Sequence, residues 1–208
     1  MADRKHGEAP PLTETEIRSQ DWYAEDVSGQ HHARVAFIDV DLTEVVDTGA
    51  VFDECTFRDC RFNLSTHTDA AFLNCTFTGC SFFDATFVDC KVAGSMFDRC
   101  TFGLFTVRGG DWSFVGLPGA DLSRTSFTGV RMREADLAGT RCAEATWQFL
   151  DLSGAHLHSA DLSGADLRGS DLSAVDPLNT RLAGAVIDGA QAVVLAGALG
   201  LDVRLDRG

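Results

Sequence analysis

The sequence is short of basic side chains: 17 Lys and Arg stand against 31 Asp and Glu in 208 residues, a formal net charge of −14. Such a chain repels nucleic acid and anionic membrane, so direct binding to either is not expected; a basic partner or plain solubility remains. Long apolar runs are missing, and no segment approaches the ~18 residues that mark a spanning helix. The N-terminal stretch MADRKHGEAPPLTETE lacks the apolar core of a signal peptide, which points to a cytoplasmic location. No Gly-rich phosphate loop, HExxH pair or other catalytic constellation occurs, so no catalytic residue, cofactor or metal is expected and an enzyme is the least favoured class. Seven cysteines are present, but none falls in a CxxC or metal-ligand spacing.

What is present is a period of five. Residues 151–175 read DLSGA HLHSA DLSGA DLRGS DLSAV. The same register extends back through Leu42, Phe37, His32, Val27 and Trp22 and forward to Ile187. From Phe37 to Ile187 it holds 31 positions, 28 of them apolar, and 11 of the 15 Phe residues lie on it. Two residues before this centre stands a small residue such as Ala50, Cys55, Cys60, Ala70, Cys75 or Cys80, and the remaining positions are mostly Asp, Thr, Ser, Arg and Gly. A helix would need spacings of three and four. A plain strand would change face over five residues. A chain that turns a corner after each unit satisfies the period, with one large and one small residue inward. Glycine recurs two residues after the centre, as at Gly154, Gly164 and Gly169, where a type II corner calls for positive φ.

This pattern resembles the pentapeptide-repeat proteins. That resemblance implies an all-β solenoid, a right-handed quadrilateral β-helix with four units per coil. The hand agrees with the strong preference of parallel crossovers. At ~4.8 Å per rung, residues 35–189 would form about eight coils and a rod of roughly 37 Å. Residues 1–21, with Pro10-Pro11, read as a flexible tail, residues 22–187 as the repeat, and residues 188–208 as a helix and tail. Asp188 is a suitable N-cap and Gly200 a suitable terminator. The helix is apolar all round, with Ala190, Val193, Val194 and Leu201 on one side and Ala192, Leu195 and Leu199 on another. One side would cap the last coil. The other would meet a second copy, which makes Val193, Val194, Leu195, Leu199 and Leu201 the expected dimer contacts; a capping helix without dimerisation is the plainer alternative.

The cysteines Cys60, Cys80 and Cys100 differ by twenty and should stack in one inner column as small hydrophobes. His156 and His158 flank Leu157 and should both point outward. Asp47 and His67 break the apolar register on adjacent coils. Either they pair inside or that face bulges outward, and the expense of unpaired burial favours the bulge. Pro177 also sits at a centre and should distort its corner.

Charge is the candidate for function. Residues 35–189 hold 22 acidic and 11 basic side chains, so a ~37 Å rod carries one net charge per roughly 3.4 Å, about half the density of duplex DNA. The acids preceding a centre are Asp41, Asp111, Asp121, Asp136, Asp151, Asp161, Asp166, Asp171 and Asp176, the candidate partner-binding surface. Asp151 and Asp171 would form a like-charge ladder. The run AFLNCTFTGCSFFDATFVDC, the unbroken phase, the VDP near the end and the apolar C-terminal helix resemble the mycobacterial fluoroquinolone-resistance group, with the plasmid quinolone-resistance proteins as relatives that carry loop insertions absent here. What this resemblance implies is a homodimeric DNA mimic that binds DNA gyrase, with topoisomerase IV as a second target, and limits quinolone-induced cleavage. Self-protection of gyrase in an antibiotic producer is a variant. A passive scaffold or adaptor with no topoisomerase role is the competing class.

Overall fold

Parallel pairing advances by twenty residues along the chain: Phe37 lies opposite Phe57, Phe57 opposite Phe77, and Phe77 opposite Phe97. The computed structural model describes residues 9–204. Four five-residue units thus complete one coil, and the coils stack as a four-faced parallel β-solenoid closed by one short helix, as expected.

The faces differ in how fully they become sheet. The first carries a five-stranded sheet of Thr15–Arg18, Val35–Ile38, Thr56–Arg58, Thr76–Thr78 and Met96–Asp98. The third carries six strands, Val46–Thr48, Thr66–Thr68, Thr86–Val88, Thr106–Arg108, Ser126–Thr128 and Thr146–Gln148. The fourth has three, His31–Ala33, Val51–Asp53 and Ala71–Leu73. The second face is held by isolated bridges alone, such as Asp121 with Arg141 and Arg141 with Asp161. Thr-rich, Phe-centred units favour strand through β-branched and aromatic packing on a pleated surface. Units that do not become strand close their corners by a hydrogen bond to the central carbonyl, as in Ser65 N–H to Phe62 O and Ala85 N–H to Phe82 O early in the chain and Ala155 N–H to Leu152 O and Ala165 N–H to Leu162 O later.

Positive φ falls two residues after the centre in both halves and is not reserved for glycine. Asp59, Asp69, Asp84 and Asp89 adopt φ of 54°, 52°, 54° and 52°, beside Gly79 and Gly154 at 66° and 69°. Asp and Asn tolerate this left-handed region better than most side chains. The corner phase is therefore a property of the coil, and glycine is one way to fill it.

The core is four inward columns with one residue per rung. Phe37, Phe57, Phe77 and Phe97 stack at centroid separations of 4.7, 4.8 and 4.6 Å, within 7° of parallel. These distances match the spacing of hydrogen-bonded strands, so backbone rung and ring stack impose the same repeat. The small residues line the inner corners. The thiol of Cys60 donates to Phe37 O and Arg58 O, and that of Cys80 to Phe57 O and Thr78 O. Burial pushes the Cys90 and Cys142 thiols up to about 12, so both are neutral at physiological pH.

One boundary and one exception depart from expectation, and a second exception follows it. The ladder begins earlier than residue 22: Glu14 N–H bonds Arg34 O, and Ile17, on the same five-residue register, pairs with Phe37 and packs on the core. The proposed tail is thus shortened at its C-terminal side, and residues 1–8 lie outside the described residues. Asp47 and His67 do not bulge. They are 0% and 1% exposed, with Asp47 Oδ2 3.0 Å from His67 Nδ1. Asp47 Oδ1 accepts from Ala50 N–H, and His67 Nε2 lies 3.0 Å from Ser65 Oγ, whose hydroxyl donates to Phe62 O. Burial is tolerated because each polar atom of the pair has a partner. Pro177 does distort its corner. Ser159 N–H bonds to Asn179 O, whereas the equivalent Gly139 bonds to His158, so the coil slips by one residue there and leaves Leu178 exposed.

The helix Gly189–Ala198 starts as expected, with Asp188 and Gln191 forming a reciprocal capping box. Gln191 is buried, and its Nε2 donates to Ser170 O and to Leu167 O, which also accepts from Ser170 N–H. One turn on, Leu195 packs against the core. Leu195 therefore belongs to the cap. Val193, Val194, Leu199 and Leu201 are exposed. Residues 205–208 lie outside the described residues.

Candidate functional site

The nine aspartates singled out from the repeat all occupy one local role. Oδ1 of each accepts the backbone N–H two residues on: Thr43 for Asp41, Ser113 for Asp111, Ser123 for Asp121, Ala138 for Asp136 and Ser153 for Asp151. Ser163, Arg168, Ser173 and Leu178 serve Asp161, Asp166, Asp171 and Asp176 in the same way. This is the Asx turn, in which a short carboxylate closes a corner that the backbone leaves open. Aspartate recurs before the centre for that reason.

Six of the nine also hold an arginine. Asp41 meets Arg61 at 2.9 Å, Asp111 meets Arg131 at 3.1 Å, Asp121 meets Arg141 at 3.0 Å and Asp161 meets Arg181 at 3.5 Å, each one rung up. Asp151 bonds Arg133, and Asp166 bonds Arg168 at 2.6 Å. The like-charge ladder expected at Asp151 is relieved in this way, since Arg131 lies beside it on the rung below and Arg133 takes its Oδ2. Exposed ion pairs of this kind contribute about 0–1 kcal/mol each. Their larger effect is to neutralise the faces that the aspartates occupy. Asp136, Asp171 and Asp176 form no ion pair among the described residues.

The paired carboxyls respond to acid. At Asp111 and Asp151 burial pushes upward, but the Ser113 or Ser153 hydrogen bonds and the neighbouring Arg131 or Arg133 outweigh it and hold both below the usual range. At Asp166, Arg168 holds the carboxyl at about 2 against a smaller opposing push from burial. A carboxyl depressed in the fold binds fewer protons there than in the unfolded chain. Its stabilisation is therefore present above pH ~4 and lost as pH falls toward ~2. In an acid titration followed by tryptophan fluorescence, Asp166→Asn should lose stability less steeply than the parent over that window. Identical slopes would show that Arg168 does not perturb this carboxyl.

Carboxylates of a second kind stand at the left-handed corner positions, the phase at which glycine recurs in the sequence. Asp39 and Asp59 occupy one corner on successive rungs, and Asp69 and Asp89 the diagonally opposite one; all four are exposed. Asp59, Asp69 and Asp89 form no ion pair among the described residues, and Asp39 only accepts from Ser19 Oγ. The charge is weighted toward this end: residues 14–110 hold 16 acids and 7 bases, residues 111–189 hold 11 and 6. The signal that could have found these residues is that they replace glycine in its own phase.

Where the coil slips, a cleft of about 240 Å³ is lined by His156, His158, Asp176 and Asn179 among others. Both histidines are exposed. Asp176 is occupied by Leu178 N–H and Asn179 Nδ2. Among the described residues no cluster of three or more His, Cys, Asp or Glu is arranged to hold a metal ion, and no helix is long and apolar enough to cross a membrane.

Known proteins share this architecture. A family model described as pentapeptide repeats matches in eight copies over residues 117–141, 135–173 and 160–192. A model of the SV2A/B/C luminal domain matches residues 20–102. A trypsin-treated variant of QnrB1, a plasmid-mediated fluoroquinolone resistance protein, is similar with a TM-score of 0.63 at 20% identity, over 93% of this chain and 97% of that one. Full-length QnrB1 gives a TM-score of 0.40 at 20% identity, over 90% and 98%. HetL, a pentapeptide repeat protein involved in heterocyst differentiation regulation in the cyanobacterium Nostoc, gives 0.35 at 18% identity, over 84% of each chain. No curated protein matches the sequence. At 20% identity the first likeness speaks to the fold and to nothing finer.

Proposed function

We propose that this chain, whose residues 117–192 match the pentapeptide-repeat family and whose fold is that of the solved pentapeptide-repeat proteins, is a non-catalytic acidic rod that occupies the DNA-binding saddle of DNA gyrase in place of DNA. The observation that carries the reading is the set of exposed corner carboxylates Asp39, Asp59, Asp69 and Asp89, none of which forms an ion pair among the described residues. Within each corner pair the carboxylates repeat at one rung, ~4.8 Å, comparable to the ~3.4 Å of phosphates along one DNA strand. A basic groove that tracks phosphates meets a similar line of charge there. The nine face aspartates add to the field at longer range, most of them partly neutralised by arginine. QnrB1 is described as a fluoroquinolone resistance protein, and the same outcome, protection of gyrase from quinolones, is what this reading assigns to the chain, with topoisomerase IV as a second target. The protein would then act in the cytoplasm as a homodimer, joined through Val193, Val194, Leu199 and Leu201 on the exposed side of the helix.

The test is gyrase supercoiling in the presence of the purified protein, with and without a quinolone. Inhibition is expected at micromolar dimer in low salt and should weaken as salt screens the contact. Replacing Asp39, Asp59, Asp69 and Asp89 together by Asn, which keeps the left-handed corners comfortable, should raise the inhibitory concentration at least about tenfold. An absence of inhibition by the parent protein at low salt would sink the proposal. Light scattering reports the dimer separately.

A further inference from the structure

Leu64, Phe83 and Leu104 stand on the edge between the second and third faces, 45%, 49% and 54% exposed. Leu64 and Leu104 sit at φ of 58°, a region that disfavours leucine and that Asn, Asp or Gly would occupy with less strain. Neither folding nor solubility accounts for two exposed leucines held there. Phe83 is seated deliberately as well. Its N–H donates to Asn63 Oδ1, and its ring lies over Gly103, where an added Cβ would come within 3.0 Å of Phe83 Cδ2. Gly103 has no positive φ, so glycine at that position answers to the ring above it and not to a backbone requirement.

The corner column reads Glu44, Leu64, Asp84, Leu104 on successive rungs, acid and apolar in alternation. Arg124 ends the strip on one side and Ala24 on the other, where Tyr23 Oη donates to Glu44. We propose that this edge docks a helix of a partner protein that carries basic residues at i and i+7 and apolar residues at i+4 and i+11. The two acids are two rungs apart, ~9.6 Å, and helix positions i and i+7 are ~10.5 Å apart, with an apolar position between in each case. Extended chain would place same-side residues ~6.7 Å apart, out of step with the rungs. Charge complementarity selects a basic partner, and strained, exposed leucines supply apolar area that such a helix would cover. The strip is distinct from the corners carrying Asp39, Asp59, Asp69 and Asp89, so it stands apart from the gyrase reading.

The experiment uses the full chain and a fluorescein-labelled helical peptide with Lys at i and i+7 and Leu at i+4 and i+11, followed by anisotropy. A scrambled peptide of the same composition is the reference. The designed peptide should bind at least ten times tighter than the scrambled one, and less tightly as salt is raised. Leu64→Asn with Leu104→Asn should abolish that difference while the melting temperature holds or rises, because Asn relieves the left-handed strain. Equal affinity for both peptides overturns the proposal, as does binding unaffected by the double substitution. Self-association that disappears in the double variant would assign the edge to a second copy of the chain and also overturn it. Gyrase inhibition by the same variant reports on the earlier reading alone.

Discussion

Replacing His67 by phenylalanine should destabilise the fold by about 3–5 kcal/mol, although the substitution restores the repeat. The column in question runs Val27, Asp47, His67, Phe87, Val107, Phe127, Trp147, and the Phe87 ring already lies 4.6 Å from the His67 ring, tilted by 43°. Phenylalanine would fit by size and shape. It would also leave Asp47, fully buried, with Ala50 N–H as its only remaining hydrogen bond. A buried carboxylate without its partner carries the full penalty of desolvation, and that exceeds what one aromatic side chain returns. Replacing both residues, with Asp47→Leu and His67→Phe, should recover most of the loss and leave a residue of about 1–3 kcal/mol for the unanswered Ala50 N–H. Guanidinium unfolding of the parent, both single variants and the double variant measures the coupling directly. If His67→Phe alone matched the parent, the pair would contribute nothing that an apolar column lacks, and its burial would need another explanation.

Truncating Phe77 to alanine should cost a comparable 3–5 kcal/mol for a different reason. Phe77 is 1% exposed and stacks on Phe57 at 4.8 Å and on Phe97 at 4.6 Å, with Phe62, Phe72 and Phe82 at its edges. The space it vacates cannot close by moving the rungs together, because parallel pairing on both sides holds them at strand spacing. The cavity should therefore persist, and in a stacked array its effect should fall mainly on the adjoining coils. Phe83→Ala, on the exposed edge, should stay within about 0.5 kcal/mol. Thermal unfolding of the two variants side by side separates a core ring from a surface one. Equal losses would mean that the Phe77 site collapses or that the Phe83 ring bears more of the fold than its exposure implies.

The solenoid was legible because its determinants are local and repeated. Phe37 to Ile187 at every fifth position names the large inward residue and Cys55 or Ala165 two places earlier names the small one, whereas four units to a coil was implied by the family resemblance and is seen in the twenty-residue pairing. The candidate site was legible only in part, because the same aspartate means different things at different phases. Asp151 before a centre closes an Asx turn and meets Arg133, whereas Asp59 after a centre stands clear on a corner. Composition counts both as one negative charge. Only the coil shows that Arg61 stands over Asp41 and Arg141 over Asp121, twenty residues away.

The amino-acid sequence by itself determined the period, the inward columns, the N-cap at Asp188 and the sign of the surface, since each follows from a residue's own polarity and its phase. The tertiary structure decided three further things. Asp47 and His67 pair inside instead of bulging, Gln191 and Leu195 turn inward as the cap, and Leu64, Phe83 and Leu104 converge on one edge. Each depends on which atoms the stacking of coils brings within ~3–4 Å, and hydrogen bonding and desolvation are decided at that range.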